Sequence, residues 1–408
     1  MKCRHCESEL LTTMLDLGVA PPSNAYLTEA QLNDPEIFYP LRVLVCEQCW
    51  LVQTEDYAKA EDLFNCNYAY FSSTSSSWLE HARVYTESIT RRLGLGRESF
   101  VIEIASNDGY LLKNFLASGI PCLGIEPTTS TADAAEKLGI EVIRDFFGVR
   151  LAESLAFNAK RADLIIGNNV LAHVPDINDF AAGLKSALKP GGTITLEFPH
   201  LMRLIEHTQF DTIYHEHFSY LSLTTICKIL NRVGLRVFEV EELTTHGGSL
   251  RIFVCHAEDI RDQHISVATL MQAEVRNGLF QLATYQKFQA SVDRIKKEFL
   301  FFLLEKNHAG KLVAAYGAAA KGNTLLNYAG VKPDLLSYVC DAAISKQGKY
   351  LPGSRIPILC PNELKRRGAE IILILPWNIA SEVVSQLSPM LPPGTEFITV
   401  VPELRKIA

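Results

Sequence analysis

The sequence has no apolar run long enough to cross a bilayer, which takes about 20 residues. No transmembrane segment is therefore expected. It also lacks a basic surplus. Its 39 Lys and Arg stand against 46 Asp and Glu, a formal charge of −7. Broad nucleic-acid binding wants a basic face and is not expected. No apolar core follows the basic start Met1-Lys2-Cys3-Arg4-His5-Cys6, so no secretory signal is expected either. Together these absences predict a cytosolic protein. No repeat of solenoid period is present. A Walker loop and the HExxH of zinc proteases are missing too.

What is present is a chain of 408 residues, 48% hydrophobic. That length predicts two or three domains. Composition divides it at 1–77, 78–257 and 258–408. The first region holds two CxxC pairs and a Tyr/Ser-rich stretch, Asn67 to Ser73. The second alternates short apolar runs with helical patterns, as in a parallel sheet covered on both faces. Its strands are expected at Phe100–Ile104, Pro121–Glu126, Ala162–Gly167 and Gly192–Glu197. Helices are expected at 108–118 and 132–138, and Lys189-Pro190-Gly191-Gly192 as a turn feeding a strand. A long connector helix is expected over 265–304. A third region follows with a strand at 311–316, a helix at 323–328 and a buried strand at 371–375.

Cys3-x-x-Cys6 and Cys46-x-x-Cys49 form a four-thiolate set with about 39 residues between the pairs. Two CxxC turns supply a tetrahedron for zinc, and four protein ligands leave no open position for catalysis. The alternatives are unrelated cysteine turns or a redox pair. In a reducing compartment the 10 cysteines are thiols or metal ligands rather than disulfides. The unpaired ones read as small buried hydrophobes.

Glu103-Ile104-Ala105-Ser106-Asn107-Asp108-Gly109 lies where the first strand gives way to a helix, the edge at which open α/β sheets bind ligands. Only Gly109 remains of the three glycines of the dinucleotide fingerprint, so a pyrophosphate fits poorly. The acidic and amide groups suit S-adenosylmethionine (SAM), whose sulfonium and ammonium are cationic. Glu126, ending the next strand, stands where a carboxylate grips ribose hydroxyls. Asp145 and Phe146 offer an adenine site, and Asn168-Asn169 the methyl-bearing end. A purely structural turn and an NAD site are the alternatives.

The segment Tyr214-His215-Glu216-His217 packs proton-moving groups into four residues. The cysteine pairs, the EIxxNDG loop and this YHEH run, in that order, resemble the SAM-dependent sugar C-methyltransferases that act on nucleotide-linked 4-keto-deoxysugars. The likeness covers nearly the whole chain. Ala105 stands where that family commonly carries glycine. The resemblance implies an α/β protein with a small zinc-binding domain, a Rossmann-like methyltransferase domain and a C-terminal Rossmann-like domain. It implies a monomer. It implies C3 deprotonation beside a 4-ketone and then methyl transfer, with His217 as base, Glu216 supporting its charge and Tyr214 holding the sugar or the oxyanion. His173 resembles the family's further active-site histidine. Tyr68 resembles the tyrosine lent by the zinc domain, and Tyr70 of the same stretch is a substrate-contact candidate. His215 reads as a packing residue.

Two segments keep two readings each. His246-Gly247-Gly248-Ser249-Leu250-Arg251 is either a plain turn into a strand or, by resemblance, a sugar-nucleotide contact through Ser249 and Arg251. Tyr316 to Thr324 follows a strand and opens a helix. Its small residues serve helix–strand packing, or its helix N-terminus with Lys321, Asn323 and Thr324 serves a pyrophosphate. By resemblance this last domain helps hold the diphosphate and base of a thymidine-linked sugar. Trp377 reads as core or as a stacking surface.

Overall fold

The structure, a computed structural model, describes residues 1–57 and 71–408. Cys66, Tyr68 and Tyr70 lie outside the described residues. Three sheets organise the chain.

The first is antiparallel, in order β1 (Thr12–Ala20), β2 (Tyr39–Val45), β3 (Val52–Thr54) and β9 (Ser219–Tyr220). In β2 the buried residues Leu41, Val43, Leu44 and Val45 leave only Arg42 partly exposed beyond the strand's start. Two faces are thus covered. β9 pairs Tyr220 with Val52 and Ser219 with Gln53. The segment just after Tyr214–His217 is therefore a strand of the cysteine-bearing region. Nothing in a two-residue strand signals that partner in advance.

The second sheet runs β10 (Leu235–Leu243), β11 (Ser249–His256), β8 (Leu188–Pro199), β7 (Ala162–Asn168), β4 (Val101–Ile104), β5 (Cys122–Ile125) and β6 (Glu141–Ile143). Strands β4 to β8 are parallel, and β11 and β10 are antiparallel. From β4 the chain winds first to β5 and β6, then back to β7 and β8. The order reverses beside β4, which makes its carboxyl end a switch-point crevice. The third sheet runs β14 (Ile358–Leu359), β13 (Val339–Cys340), β12 (Val313–Tyr316), β15 (Ile371–Ile374), β16 (Glu396–Thr399) and β17 (Arg405–Lys406). All but β17 are parallel. Its switch point lies at β12, before the helix Ala320–Ala329.

The sheets share cores. Cys3, Cys46, Cys49 and Leu51 pack in one cluster with Ile102, Ile165 and Ile226 of the second sheet's layers. Met14, Leu15 and Val43 pack with Leu326, Leu373 and Tyr285 in another. The first sheet is thus wedged between the other two. Among the described residues no helix is long and apolar enough to cross a membrane.

Several local expectations need correction. The connector is three helices, Ile265–Arg276, Leu282–Gln286 and Phe288–His308. Gly278 at φ +75° turns the chain after Asn277, and the Thr284 hydroxyl donates to its carbonyl at 2.8 Å. The helix expected from 108 starts at Leu112, because Asn107 at φ +50° and Gly109 at φ +76° cannot belong to it. Lys189 to Gly192 lies within β8 rather than before it. The helix expected at 323 begins earlier, at Ala320.

Candidate active site

The four sulfurs of Cys3, Cys6, Cys46 and Cys49 lie within 4.8 Å of one another, with Cys3–Cys49 at 3.5 Å and Cys6–Cys46 at 3.4 Å. Ligands about 2.3 Å from a tetrahedral zinc lie about 3.8 Å apart, so the set fits zinc. Gln53 Nε2 donates to Cys3 Sγ at 3.2 Å, adding an outer hydrogen bond of the kind that orients ligands.

A cavity of about 580 Å³ opens at the carboxyl ends of β4, β5 and β7, and loop or helix residues from the other two regions, such as Asn24, Lys321 and Lys346, complete its wall. At one end lies the loop after β4. Ala105, Asn107 and Gly109 all have positive φ, between +50° and +76°, which explains the preference for glycine at the first of them. Gly109 is required for a second reason: a Cβ there would lie 2.5 Å from Ile140 Cδ1. Glu126 folds this loop. Its two oxygens accept the backbone N–H groups of Asn107 and Thr128, each at 2.9 Å. Asn107 Oδ1 and Asp108 Oδ2 accept the N–H groups of Ser72 and Ser73, at 2.9 and 3.1 Å, so the segment after residue 70 rests on the loop.

Asn107, Glu126, Asp145, Phe146, Asn168 and Asn169 line the cavity. Both amide atoms of Asn168 are buried with no hydrogen-bond partner among the described residues, a cost of about 1–3 kcal/mol per group that a ligand would remove. Asp145 itself is tied to Arg150 and to the Phe146 N–H. Glu103, Ser106, Asp108 and Gly109 sit behind the wall. Burial, then the like charge of Asp108, raises the Glu103 pKa well above the carboxylate range, with Tyr110 opposing. Ser106 faces Gly124 of β5. The unsatisfied Asn168 amide, the Glu126 carboxylate and the rings of Trp78, Tyr110, Phe146 and Phe147, all lining one cavity, fit SAM.

At the other end lie Tyr214, His217 and His173. The Tyr214 and His217 rings are 4.0 Å apart and those of His173 and His217 4.6 Å. His217 Nδ1 donates to the Thr212 carbonyl at 2.8 Å, and His173 Nδ1 to the Glu216 carbonyl at 2.7 Å. A carbonyl only accepts, so in each ring Nδ1 carries the proton and Nε2 the lone pair. Burial lowers the His173 pKa to about 4 and, followed by the neighbouring His173, takes that of His217 well below the usual value. Both imidazoles are neutral near pH 7. The backbone holds them in place: the Phe218 N–H donates to Ala172 O at 2.6 Å, and the Thr54 hydroxyl to His217 O at 3.0 Å.

The Glu216 carboxylate does not reach Nδ1 of His217, contrary to expectation. The turn that closes with His217 N–H on Tyr214 O at 2.9 Å sends it the other way, where Asn24 Nδ2 donates to it at 3.1 Å. Glu216 orients His173 instead, through its backbone. His215 turns away to the Pro40 carbonyl at 3.2 Å.

Three family models match the chain. "Putative zinc binding domain" covers residues 3–64, "Methyltransferase domain" 78–240 and "C-methyltransferase C-terminal domain" 244–402. Across 407 residues, 100% of this chain and 97% of the relative, it is 33% identical to the C-methyltransferase NovU of Streptomyces niveus. The chain belongs to the zinc-containing C-methyltransferases.

Solved structures resemble less of it. A SAM-dependent methyltransferase from Clostridium acetobutylicum ATCC 824 is 12% identical over 43% of this chain and 91% of its own, with a TM-score of 0.36. The SAM complex of the glycopeptide N-methyltransferase MtfA gives 15%, 43%, 93% and 0.34. At such scores the likeness adds nothing to the assignment.

The chain is a SAM-dependent C-methyltransferase with a zinc-binding domain, whose match at residues 3–64 contains all four cysteines. The remaining candidates divide. Lys321 lines the cavity, with Nζ 2.8 Å from Asn378 Oδ1 and 4.6 Å from the Trp377 ring centre. Asn323 and Thr324 are committed elsewhere: Asn323 Nδ2 donates to Ser23 O at 2.7 Å and the Thr324 hydroxyl to Ile213 O at 2.9 Å. Ser249 donates to Thr245 O at 3.0 Å. Arg251 pairs with buried Glu197 at 2.9 Å, beside His81. Neither lines the cavity; both brace the turn that carries His246, which does. His246 Nε2 accepts from Asn169 Nδ2 at 3.1 Å. Among the wall residues that sequence reasoning did not single out are Asn24, Trp78, Tyr110 and Thr128. No local pattern marks them.

Proposed function

We propose that this C-methyltransferase acts on a nucleotide-diphospho-4-keto-deoxysugar and places the methyl at C3. The observation that carries the reading is the pair of neutral, carbonyl-anchored imidazoles in the same cavity as the cofactor loop. A carbon acid needs a positioned base that is unprotonated at working pH. His217 supplies Nε2 for the C3 proton, and the Thr212 carbonyl stabilises the imidazolium that forms. His173, whose Nε2 accepts, receives a hydroxyl or amino hydrogen of the sugar. Tyr214, its ring 4.0 Å from that of His217 and tilted by 33°, is placed beside the reacting carbon. When bound, SAM supplies the electrophilic methyl.

By the resemblance the diphosphate lies toward the third sheet, where Ala319, Lys321 and Lys346 line the cavity; the N–H groups of Gly317, Ala318 and Ala319 are already bonded within the protein. Tyr68 and Tyr70 are proposed on the resemblance alone. The test is to incubate SAM with thymidine-, uridine- and guanosine-diphospho-4-ketosugars and take NMR spectra of the product. A methyl singlet on a quaternary carbon is expected. A methyl on oxygen or nitrogen would make the enzyme a heteroatom methyltransferase on this substrate.

A further inference from the structure

Deprotonation beside a ketone leaves a negative charge on the carbonyl oxygen, and something must balance it. His217 cannot donate to that oxygen, since its Nε2 is turned to the carbon-bound proton it removes, so a separate group must serve. Among the described residues two cations line the cavity, Lys321 and Lys346. Lys346 Nζ donates to Ala318 O at 2.9 Å and lies 3.5 Å from the Asp341 carboxylate, so its charge is already compensated. Lys321 pairs with no carboxylate at ion-pair distance among the described residues; its polar partner is the neutral amide of Asn378.

The fold turns Lys321 toward the histidines. The helix Ala320–Ala329 is fastened to the 210–214 segment through Thr324 and Ile213 O. Lys321 precedes Thr324 by three positions and so shares its face. Trp377 Nε1 donates to Asp211 Oδ2 at 2.7 Å, while the Trp377 ring lies under Lys321 Nζ. That ring needs Gly247, where a Cβ would come within 2.3 Å of it. The groups facing Lys321 are Asp211, His217 and His246. Its charge contributes to lowering both histidine pKa values. Burial brings its own pKa down to about 8, with Asp211 opposing.

We propose that Lys321 is a catalytic residue whose ammonium balances the charge on the substrate carbonyl oxygen as His217 removes the adjacent proton. The inference rests on the ketosugar reading above. The C–H bond breaks, its proton passes to His217 Nε2, and its electron pair becomes the carbon–carbon double bond as the carbonyl pair moves onto oxygen beside Lys321. When the pair returns, the new carbon–methyl bond forms, the sulfur–methyl bond breaks, and the sulfonium becomes a neutral thioether. Asp211, Asn378 and Trp377 are positioning residues.

The test is proton exchange without methyl transfer. The substrate that the wild-type enzyme methylates is incubated in D2O with S-adenosylhomocysteine. Lys321→Met should slow deuterium uptake by about 10²–10³-fold, the loss expected for one oxyanion donor, with the nucleotide-sugar Kd within about threefold. Exchange within about threefold of wild type would overturn the proposal, as would a loss confined to Kd, which would make Lys321 a diphosphate ligand. Wild-type enzyme that methylates carbon but never exchanges the proton would sink the ketosugar reading itself. Should Lys321→Met fail to fold, Lys321→Arg gives a second readout. Wild-type kcat/KM should fall above about pH 8, and the arginine variant should lose that limb. An unchanged limb overturns the proposal.

Discussion

Replacing His217 by asparagine tests the base directly. The imidazole makes one anchoring hydrogen bond, Nδ1 to Thr212 O at 2.8 Å, which an asparagine amide can imitate. The backbone carbonyl keeps its bond from the Thr54 hydroxyl, so the first sheet's grip on this segment is retained. What disappears is Nε2. Loss of a positioned base costs about 10²–10⁴ in rate, or about 3–5 kcal/mol at 1.36 kcal/mol per tenfold. His173, with its ring 4.6 Å away, is anchored separately on the Glu216 carbonyl and does not take over the position of His217 Nε2. The loss should therefore be in kcat. The cofactor end of the cavity, built on Glu126 and Asn168, is untouched, so the SAM Kd from calorimetry should stay within about twofold. A His217→Asn enzyme with wild-type kcat would remove His217 as the base. A tenfold weaker SAM Kd would show that the two ends of the cavity are not independent.

Glu126→Gln weakens two charge-assisted bonds to the Asn107 and Thr128 N–H groups, each worth about 1.5–3 kcal/mol. SAM binding should weaken by at least tenfold in calorimetry, with the fold retained by circular dichroism. Cys46→Ser should lower bound zinc below one per chain and the melting temperature by several degrees. The cysteines share the core with the second sheet, and structural zinc contributes folding energy outright; an unchanged melt would refute that coupling. The acid limb of kcat/KM should lie below pH 6.5. The His217 pKa is depressed by burial, so the base stays unprotonated as pH falls until that lower value is reached; a limb above 7 would contradict this.

Much of the architecture was legible in the chain because parallel strands buried on both faces leave near-continuous apolar runs, as at Val101–Ile104 and Ile371–Ile374. The cysteine pairs were legible because thiolate spacing is local. Other features were not. Glu216 lies next to His217 in sequence, yet the 214–217 turn sends its carboxylate to Asn24. Arg251 looked like a substrate contact because its charge gives no hint of buried Glu197 on the neighbouring strand. The break at Gly278 was written in Asn277-Gly278, a C-terminal helix signal that the apolar pattern on either side obscured. The wall residues Trp78 and Tyr110 acquire their place only when the helix Ser76–Leu93 packs over the β4 loop.

The most direct measurement follows deuterium placed at C3 of a nucleotide-diphospho-4-ketosugar through one turnover with SAM. Deprotonation at carbon predicts a product without that deuterium, one methyl heavier. A product that keeps the label, or bears the methyl on oxygen or nitrogen, contradicts it.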